Sequence, residues 1–387
     1  MSASDLSFGP WAANETAMLV RPSFVPAVFV PAFFVAIACS ACRGAEPPAP
    51  AAPIATAASP SAPTVSSASP PATPAPAEPT PDQKKTAEAL RDLQEDRAKW
   101  QRDNEAELSR WTPELHRASK SLAEKTYPSG RAAIQAATLG KHRKPGDAER
   151  DKYRHPLETL GLFGFKPTMT VLEVSPGDGW YTEILAPALA ANGKLIATSA
   201  DPNGPPDQRS TFYAQHFQAF LGKAPEVYGK VKTITVDGKA PSLDLDGKVD
   251  LALVMREVHG MVNSGTLDVW LAAIHRALKP GGVLGIEEHR APADADPKES
   301  AKRGYVPEKW LIDRIEAAGF TLAGKSELNA NPKDTKDYPG GVWTLPPSFA
   351  EKDKDHAKYA AIGESDRMTL KFAKAPEPND VDGRAKK

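Results

Sequence analysis

The pattern of apolar and polar positions changes character along the 387 residues. From residue 170 onward, short apolar runs recur at 170–174, 194–199, 231–236, 250–255 and 283–287. Between most of them the apolar positions take a helical period instead, at 181–191, 210–221 and 267–278. Near-continuous apolar runs describe strands buried on both faces, and strand alternating with helix describes a parallel sheet covered on both sides. Two later segments, 320–326 and 368–373, bring the count to seven. The expected fold class is therefore α/β: a doubly wound, mostly parallel seven-stranded sheet.

Ahead of the sheet, helical periodicity predicts a helix capped by Asp82 that runs to Trp111 and is ended by Thr112-Pro113. Leu90, Leu93, Trp100, Leu108 and Trp111 share a stripe that Arg97 and Asn104 interrupt, which describes a docking helix or spacer. A short helical run follows at 130–140, and the charged stretch 141–154 reads as a solvated loop and helix start. Residues 45–81 hold twelve of the 38 prolines among Ala, Ser and Thr, a composition that cannot bury enough surface to fold. Before them, the apolar run PSFVPAVFVPAFFVAIA follows Arg21 and ends at Cys39-Ser-Ala-Cys42. That order resembles a bacterial lipoprotein leader, with Met18 a better start than Met1. Neither cysteine has the usual Leu three residues earlier, so the acceptor of a lipid is Cys39 or Cys42. The expected organisation is a leader at 1–44, a disordered linker at 45–81, a helical extension at 82–155, the sheet domain at 156–376 and a disordered tail at 377–387. The leader predicts a cell-envelope location, lipid-anchored or periplasmic; a misread leader would leave the domain in the cytoplasm.

Composition narrows the chemistry. With 48 Lys+Arg against 49 Asp+Glu there is no broad basic face, which argues against nucleic acid and leaves small molecules. The only two cysteines lie in the leader, so the mature domain has neither disulfide nor thiol chemistry.

The first strand ends in VLEVSPGDGW, a turn where glycines let backbone amides approach a ligand at the carboxyl edge of the sheet. A dinucleotide turn wants a third glycine, and Thr182 stands in its place, which disfavours a nicotinamide oxidoreductase. Glu173-Val-Ser-Pro-Gly177-Asp178-Gly179 instead resembles the acid-x-Gly-x-Gly-x-Gly loop of class I S-adenosylmethionine-dependent methyltransferases, with Ser175 for the first glycine. The segment Val249 to His259 resembles their fourth strand, and Leu278-Lys-Pro-Gly-Gly282 the turn before their fifth. The likeness runs from about Pro156 to Ala373. The wording GWYTEILAP, EHRA, GYVPE and GESDRMTLKF is similar to a branch of predicted bacterial methyltransferases that often carry leaders.

The resemblance implies a Rossmann-like methyltransferase fold, S-adenosyl-L-methionine as cofactor and a small-molecule acceptor. Carried over residue by residue, Gly177 and Gly179 would admit the cofactor's methionine part, with Asp178 between them, and Glu173 would anchor its ammonium. Asp201, two residues beyond the usual ribose position at Ser199, and Asp237 would hold the nucleoside. Trp180 and Tyr181 would flank the site, with helix packing the alternative for Trp180. At the acceptor rim His259 would take the acceptor's proton, or simply pack at a helix start. Arg256 would orient an anionic acceptor. Glu287-Glu288-His289-Arg290 ends the fifth strand; Glu288 and His289 join the catalytic candidates, His289 as second base. His275 reads as a solvated helix residue. The polar segment 329–339 reads as a loop or lid that lines the acceptor pocket with Trp343, or as a surface connection before the last strand. Within Glu364 to Arg367, an Arg–Asp pair pinning the last strand is favoured over catalysis by Asp366. No metal site is expected, since no His pair at i, i+4 and no Cys cluster occurs; Glu287, Glu288 and Asp237 would hold Mg²⁺ only if brought together. Ser175 and Ser199 leave open a second class, an envelope binding or assembly protein that keeps the fold without catalysis.

Overall fold

The computed structural model describes residues 80–376. The expected leader with Cys39 and Cys42, nearly all of the expected linker, and the tail lie outside the described residues. Seven strands form one sheet: β1 Thr170–Val174, β2 Lys194–Ser199, β3 Lys232–Thr235, β4 Val249–Met255, β5 Leu278–His289, β6 Phe320–Ser326 and β7 Arg367–Lys374. Their order is β3-β2-β1-β4-β5-β7-β6. β1 to β5 pair in parallel, while β7 runs antiparallel to both β5 and β6. The sheet is thus mixed, and the reversal of β7 has a consequence for the site: His289 at the end of β5 pairs with Arg367 at the start of β7.

Successive strand residues point to opposite faces, and the core divides accordingly. Val171, Leu251 and Leu253 pack with Leu160, Phe163, Ile184, Leu185 and Leu189 on one face. Leu172, Val254 and Ile286 pack with Trp270, Leu271, Ile274, Leu311 and Ile315 on the other. Gly285 sits mid-strand in β5 because the helix Pro156–Phe163 lies too close for a side chain: an added Cβ would stand 2.6 Å from the Phe163 ring.

The segment before the sheet is part of the same core. The helix Pro81–Arg110 begins two residues earlier than expected, capped by Thr80 in place of Asp82, and the Thr80 hydroxyl and Gln83 form a reciprocal capping box. Of the proposed stripe, Leu93 and Trp111 are buried but Leu90 and Leu108 are exposed. Arg97, which interrupts the stripe, makes a docking contact: its guanidinium donates to Gln215 Oε1 (3.0 Å) and to the Pro206 carbonyl (2.9 Å). Trp100 meets His216 edge-on at 5.0 Å. Thr112-Pro113 ends this helix and also starts the next, Pro113–Glu124, which the sequence reading did not foresee.

The stretch 141–154 is not solvated as expected. His142, Arg143 and Arg154 are buried: the His142 ring meets the Glu183 carbonyl at 2.7 Å, and each arginine has acids to meet. Arg143 donates to both oxygens of Asp151 (2.7 and 2.6 Å), and Arg154 reaches Glu364 at 3.2 Å. Lys223 is buried between Glu107 (3.1 Å) and Glu183 (3.4 Å). Burial alone would raise the Glu107 carboxyl, but Arg110, Lys223 and Trp111 outweigh it and hold it at about 2. No helix among the described residues is long and apolar enough to cross a membrane.

Gly285→Ala should destabilise the chain by about 1–3 kcal/mol, the usual cost of overpacking a filled core. Urea unfolding followed by circular dichroism checks this, and an unchanged midpoint would contradict the close helix–strand contact.

Candidate functional site

In a doubly wound sheet the ligand side is the carboxyl edge, at the switch point where neighbouring strands lead off in opposite directions. Here that point lies between β1 and β4, and the candidate residues gather along this edge. After β1 the backbone turns through three left-handed residues: Ser175 (φ 51°), Gly177 (φ 57°) and Gly179 (φ 82°). Ser175, in place of a first glycine, still takes the conformation a glycine would adopt. Its N–H donates to Thr198 Oγ1 at 2.9 Å, which holds the strained residue in place.

The two glycines do different work. A Cβ on Gly177 would meet nothing within 4 Å, so the exposed backbone there faces open space. One on Gly179 would strike the Phe220 ring at 2.9 Å, so Gly179 serves packing rather than ligand approach. Glu173 is fully enclosed one turn below, and its Oε2 accepts the Thr182 hydroxyl at 2.7 Å. Thr182, in the third glycine's place, therefore holds the acid. No ion pair reaches Glu173 among the described residues, and burial pushes its carboxyl up to about 7. Asp178 is two-thirds exposed and pairs with His216 at 2.9 Å. Burial opposes its charge, but the bond to His216 and its charge hold the carboxyl below its ordinary value.

Asp201 and Asp237 are exposed on the loops after β2 and β3, on the same edge. Each folds its carboxylate back on its own turn, onto Asn203 N–H and Lys239 N–H, both at 2.9 Å. One oxygen in each pair thus shapes the loop. A fit for S-adenosylmethionine rests on the open backbone at Gly177 and the buried acid Glu173, which has no ion-pair partner among the described residues.

Trp180 and Tyr181 do not flank this open backbone. Both are core residues. Trp180 donates to the Asp147 carbonyl at 2.8 Å and lies under the guanidinium groups of Arg143 and Arg154, 5.0 and 4.6 Å from its ring. Tyr181 donates its hydroxyl to Glu287 Oε2 at 2.8 Å. Both aromatics turn inward because the segment 143–154 and β5 offer partners there.

The ends of β4 and β5 bring four candidates together. Arg256 sits at φ 60°, and its N–H donates to the Glu287 carbonyl at 2.6 Å. Its guanidinium reaches Glu287 Oε1 at 3.3 Å, and Arg367 reaches the same oxygen at 3.2 Å. Arg256 is therefore engaged by Glu287 rather than free to meet an acceptor. Glu288 is completely buried. It accepts from His289 N–H at 2.8 Å and from His259 N–H at 3.3 Å, and His259 Nδ1 lies 3.1 Å from its Oε1. Burial disfavours a charged His259 ring, but Glu288's charge and hydrogen bond, helped by Glu257, raise its pKa. His289 is lowered well below its ordinary value by burial and by the cations His259, Arg367 and Arg256, so its ring is neutral. Its Nδ1 lies 2.5 Å from Ser365 Oγ. Trp343, 41% exposed, stands edge-on to His259 with ring centres 5.7 Å apart.

Three neighbouring expectations change. The segment 329–339 is tied down rather than a lid. The Asn329 amide donates to Thr159 and Thr369 hydroxyls (3.0 and 2.9 Å), and Asp334 accepts from Tyr305 and from Asp366 N–H (3.1 and 2.8 Å). The pair that pins β7 is Arg367–Glu364 at 2.7 Å; Asp366 pairs instead with Lys336 and Arg290. His275 is half-buried against Phe320, with ring centres 5.0 Å apart. Asp237 belongs to β3, four places along the sheet from β5, so it does not join Glu287 and Glu288. Thr182, Ser365 and Arg367 were not expected as partners of the site, and Tyr181 was expected against the cofactor rather than against Glu287. The one hint for them was the doubled acid at the end of β5, which needed buried donors from elsewhere.

Residues 146–323 match the family model of a methyltransferase domain. No curated protein matches the chain. Among solved structures it is similar to a SAM-dependent methyltransferase from Aquifex aeolicus, with 19% identity over 63% of this chain and 97% of that one and a TM-score of 0.39. It is also similar to a 1,6-didemethyltoxoflavin-N1-methyltransferase from Burkholderia thailandensis that holds its substrate and S-adenosylhomocysteine, with 16% identity, 64% and 80% coverage and a TM-score of 0.34. The matched span contains the turn after β1 and the ends of β2 to β5.

Glu287→Ala should cost about 3–5 kcal/mol, because it strands Arg256 and Arg367 without their shared carboxylate. Thermal and urea unfolding measure this; a loss below 1 kcal/mol would show that the arginines find other partners.

Proposed function

We propose that the chain is an S-adenosylmethionine-dependent methyltransferase acting on a small-molecule acceptor. The observation that carries this is the open backbone at Gly177, in the turn that follows β1 and its buried, un-ion-paired carboxyl Glu173. Gly177 and Asp178 border the methionine part, Glu173 takes its ammonium, and Asp201 and Asp237 hold the nucleoside. When bound, the cofactor supplies a methyl group on a cationic sulfur, a good leaving group that needs no activation by the protein.

The protein's work is then positioning and proton control. The acceptor lies over the ends of β4 and β5, against Trp343. In its unprotonated form His259 receives the acceptor's proton, since Glu288 fixes the orientation of its ring. His289 stands beside it as a neutral second base, and Arg256 contributes positive potential through its pair with Glu287. By the same reading the leader places the enzyme in the cell envelope, with Cys39 or Cys42 as lipid anchor. The family branch is the one that carries such leaders.

Isothermal titration calorimetry with S-adenosylhomocysteine tests the proposal. The wild-type chain should bind one equivalent, and Gly177→Asp, which puts a side chain into that open space, should lose binding at least a hundredfold. No heat at millimolar ligand would overturn the assignment.

The Glu173 carboxyl adds a signed test. Its folded value, about 7, lies above its ordinary 4.5. The native state therefore keeps a proton that the unfolded chain has lost, and stability falls as pH rises through that window. A bound ammonium reverses the preference, so binding at pH 6 to 7 should release a proton. Calorimetry in buffers of different ionisation enthalpy reads this release, which Glu173→Gln should abolish. Equal release from that variant would rule Glu173 out.

A further inference from the structure

The cluster at the ends of β4 and β5 has donor chemistry beyond proton transfer. One potential ligand atom each from His259, Glu288 and His289 lies within 4.8 Å of the others. We propose that these three side chains bind one divalent first-row transition-metal ion. The metal site stands independently of the methyl-transfer reading; only its role toward an acceptor rests on that reading.

Four observations support it. First, His259 Nδ1 and Glu288 Oε1 are 3.1 Å apart. Two donors at about 2.1 Å from an ion and at right angles to each other are about 3 Å apart, so this edge already has coordination length. Second, His289 Nδ1 is taken by Ser365 Oγ at 2.5 Å, which leaves Nε2 for an ion and fixes the ring, as outer partners of ligating histidines do. Third, Glu288 has no solvent exposure, so the carboxylate is held rather than free to swing away. Fourth, the cluster opens outward: the His259 side chain is 14% exposed and Trp343 beside it 41%. An ion there would keep open positions for an acceptor or water.

Two imidazoles and one carboxylate suit Fe²⁺, Mn²⁺, Co²⁺ or Zn²⁺, whereas Mg²⁺ and Ca²⁺ prefer oxygen ligands alone. The sequence could not show this set. His259 and Glu288 are 29 positions apart, and only the parallel pairing of β4 with β5 joins them. In the methyl-transfer reading the ion would act as a Lewis acid beside the acceptor, easing loss of its proton.

The test uses the untagged full chain with Cys39→Ser and Cys42→Ser, so that neither thiol competes, stripped of metal and titrated with Co²⁺. The visible absorption bands should saturate at one equivalent. His259→Ala and His289→Ala should each weaken uptake at least a hundredfold, and Ser365→Ala about tenfold. X-ray absorption on the loaded chain should show two imidazole ligands. No saturable uptake, or an all-oxygen shell, would overturn the proposal whether or not the histidine variants fold. So would uptake that survives both histidine variants in folded form. Gly177→Asp should leave Co²⁺ uptake unchanged while abolishing S-adenosylhomocysteine binding, so each claim can fail without the other.

Discussion

One buried carboxylate, Glu287, ties the parts of the molecule together. Tyr181 holds one of its oxygens, and Arg256 and Arg367 share the other. Tyr181 belongs to the turn after β1, Arg256 to the end of β4 and Arg367 to the start of β7. Arg367 also grips Glu364, which Arg150 and Arg154 of the leading segment approach from the other side. Ions out of water are costly unless geometry and hydrogen bonds compensate them. This chain compensates by running β7 antiparallel, which brings a second arginine to the ligand edge.

That constraint places the two halves of the site. With Tyr181 anchored at Glu287, the turn before it cannot relax, and Ser175 and Gly177 remain in left-handed backbone after β1. With Arg256 anchored by both backbone and side chain, the chain leaves β4 at a positive φ and starts the short helix that presents His259 to Glu288. Each strained non-glycine residue costs about 1–3 kcal/mol, and such strain persists where surrounding contacts over-determine it. Two of the eight such residues among the described ones, Ser175 and Arg256, fall at the loops that border the proposed cofactor and acceptor.

Much of the fold was legible in the sequence because β1, β2, β4 and the second half of β5 are largely buried and so carry near-continuous apolar runs. β1, β2 and β6 have the expected bounds, and β3 and β4 differ by a residue. What stayed hidden was long-range polar pairing. Arg97 looked like a flaw in a helix stripe and is a dock; the charges of 141–154 looked solvated and are buried against acids far along the chain. Trp180 and Tyr181 followed a ligand-binding turn in sequence, yet their partners, Asp147 and Glu287, turn them inward. The grouping of His259, Glu288 and His289 was not legible because its members come from the ends of separate strands. Periodicity reports which face of an element is apolar and says little about which distant charge will meet it.

The central claim is that the bend at Gly177 borders the methyl donor. A crystal structure of the chain soaked with S-adenosylhomocysteine tests it most directly. The account predicts ligand density against the Gly177 backbone, with the amino group turned toward Glu173 and the ribose toward the loops after β2 and β3. Density elsewhere on the molecule, or a side chain closing over Gly177 in place of the ligand, would contradict it.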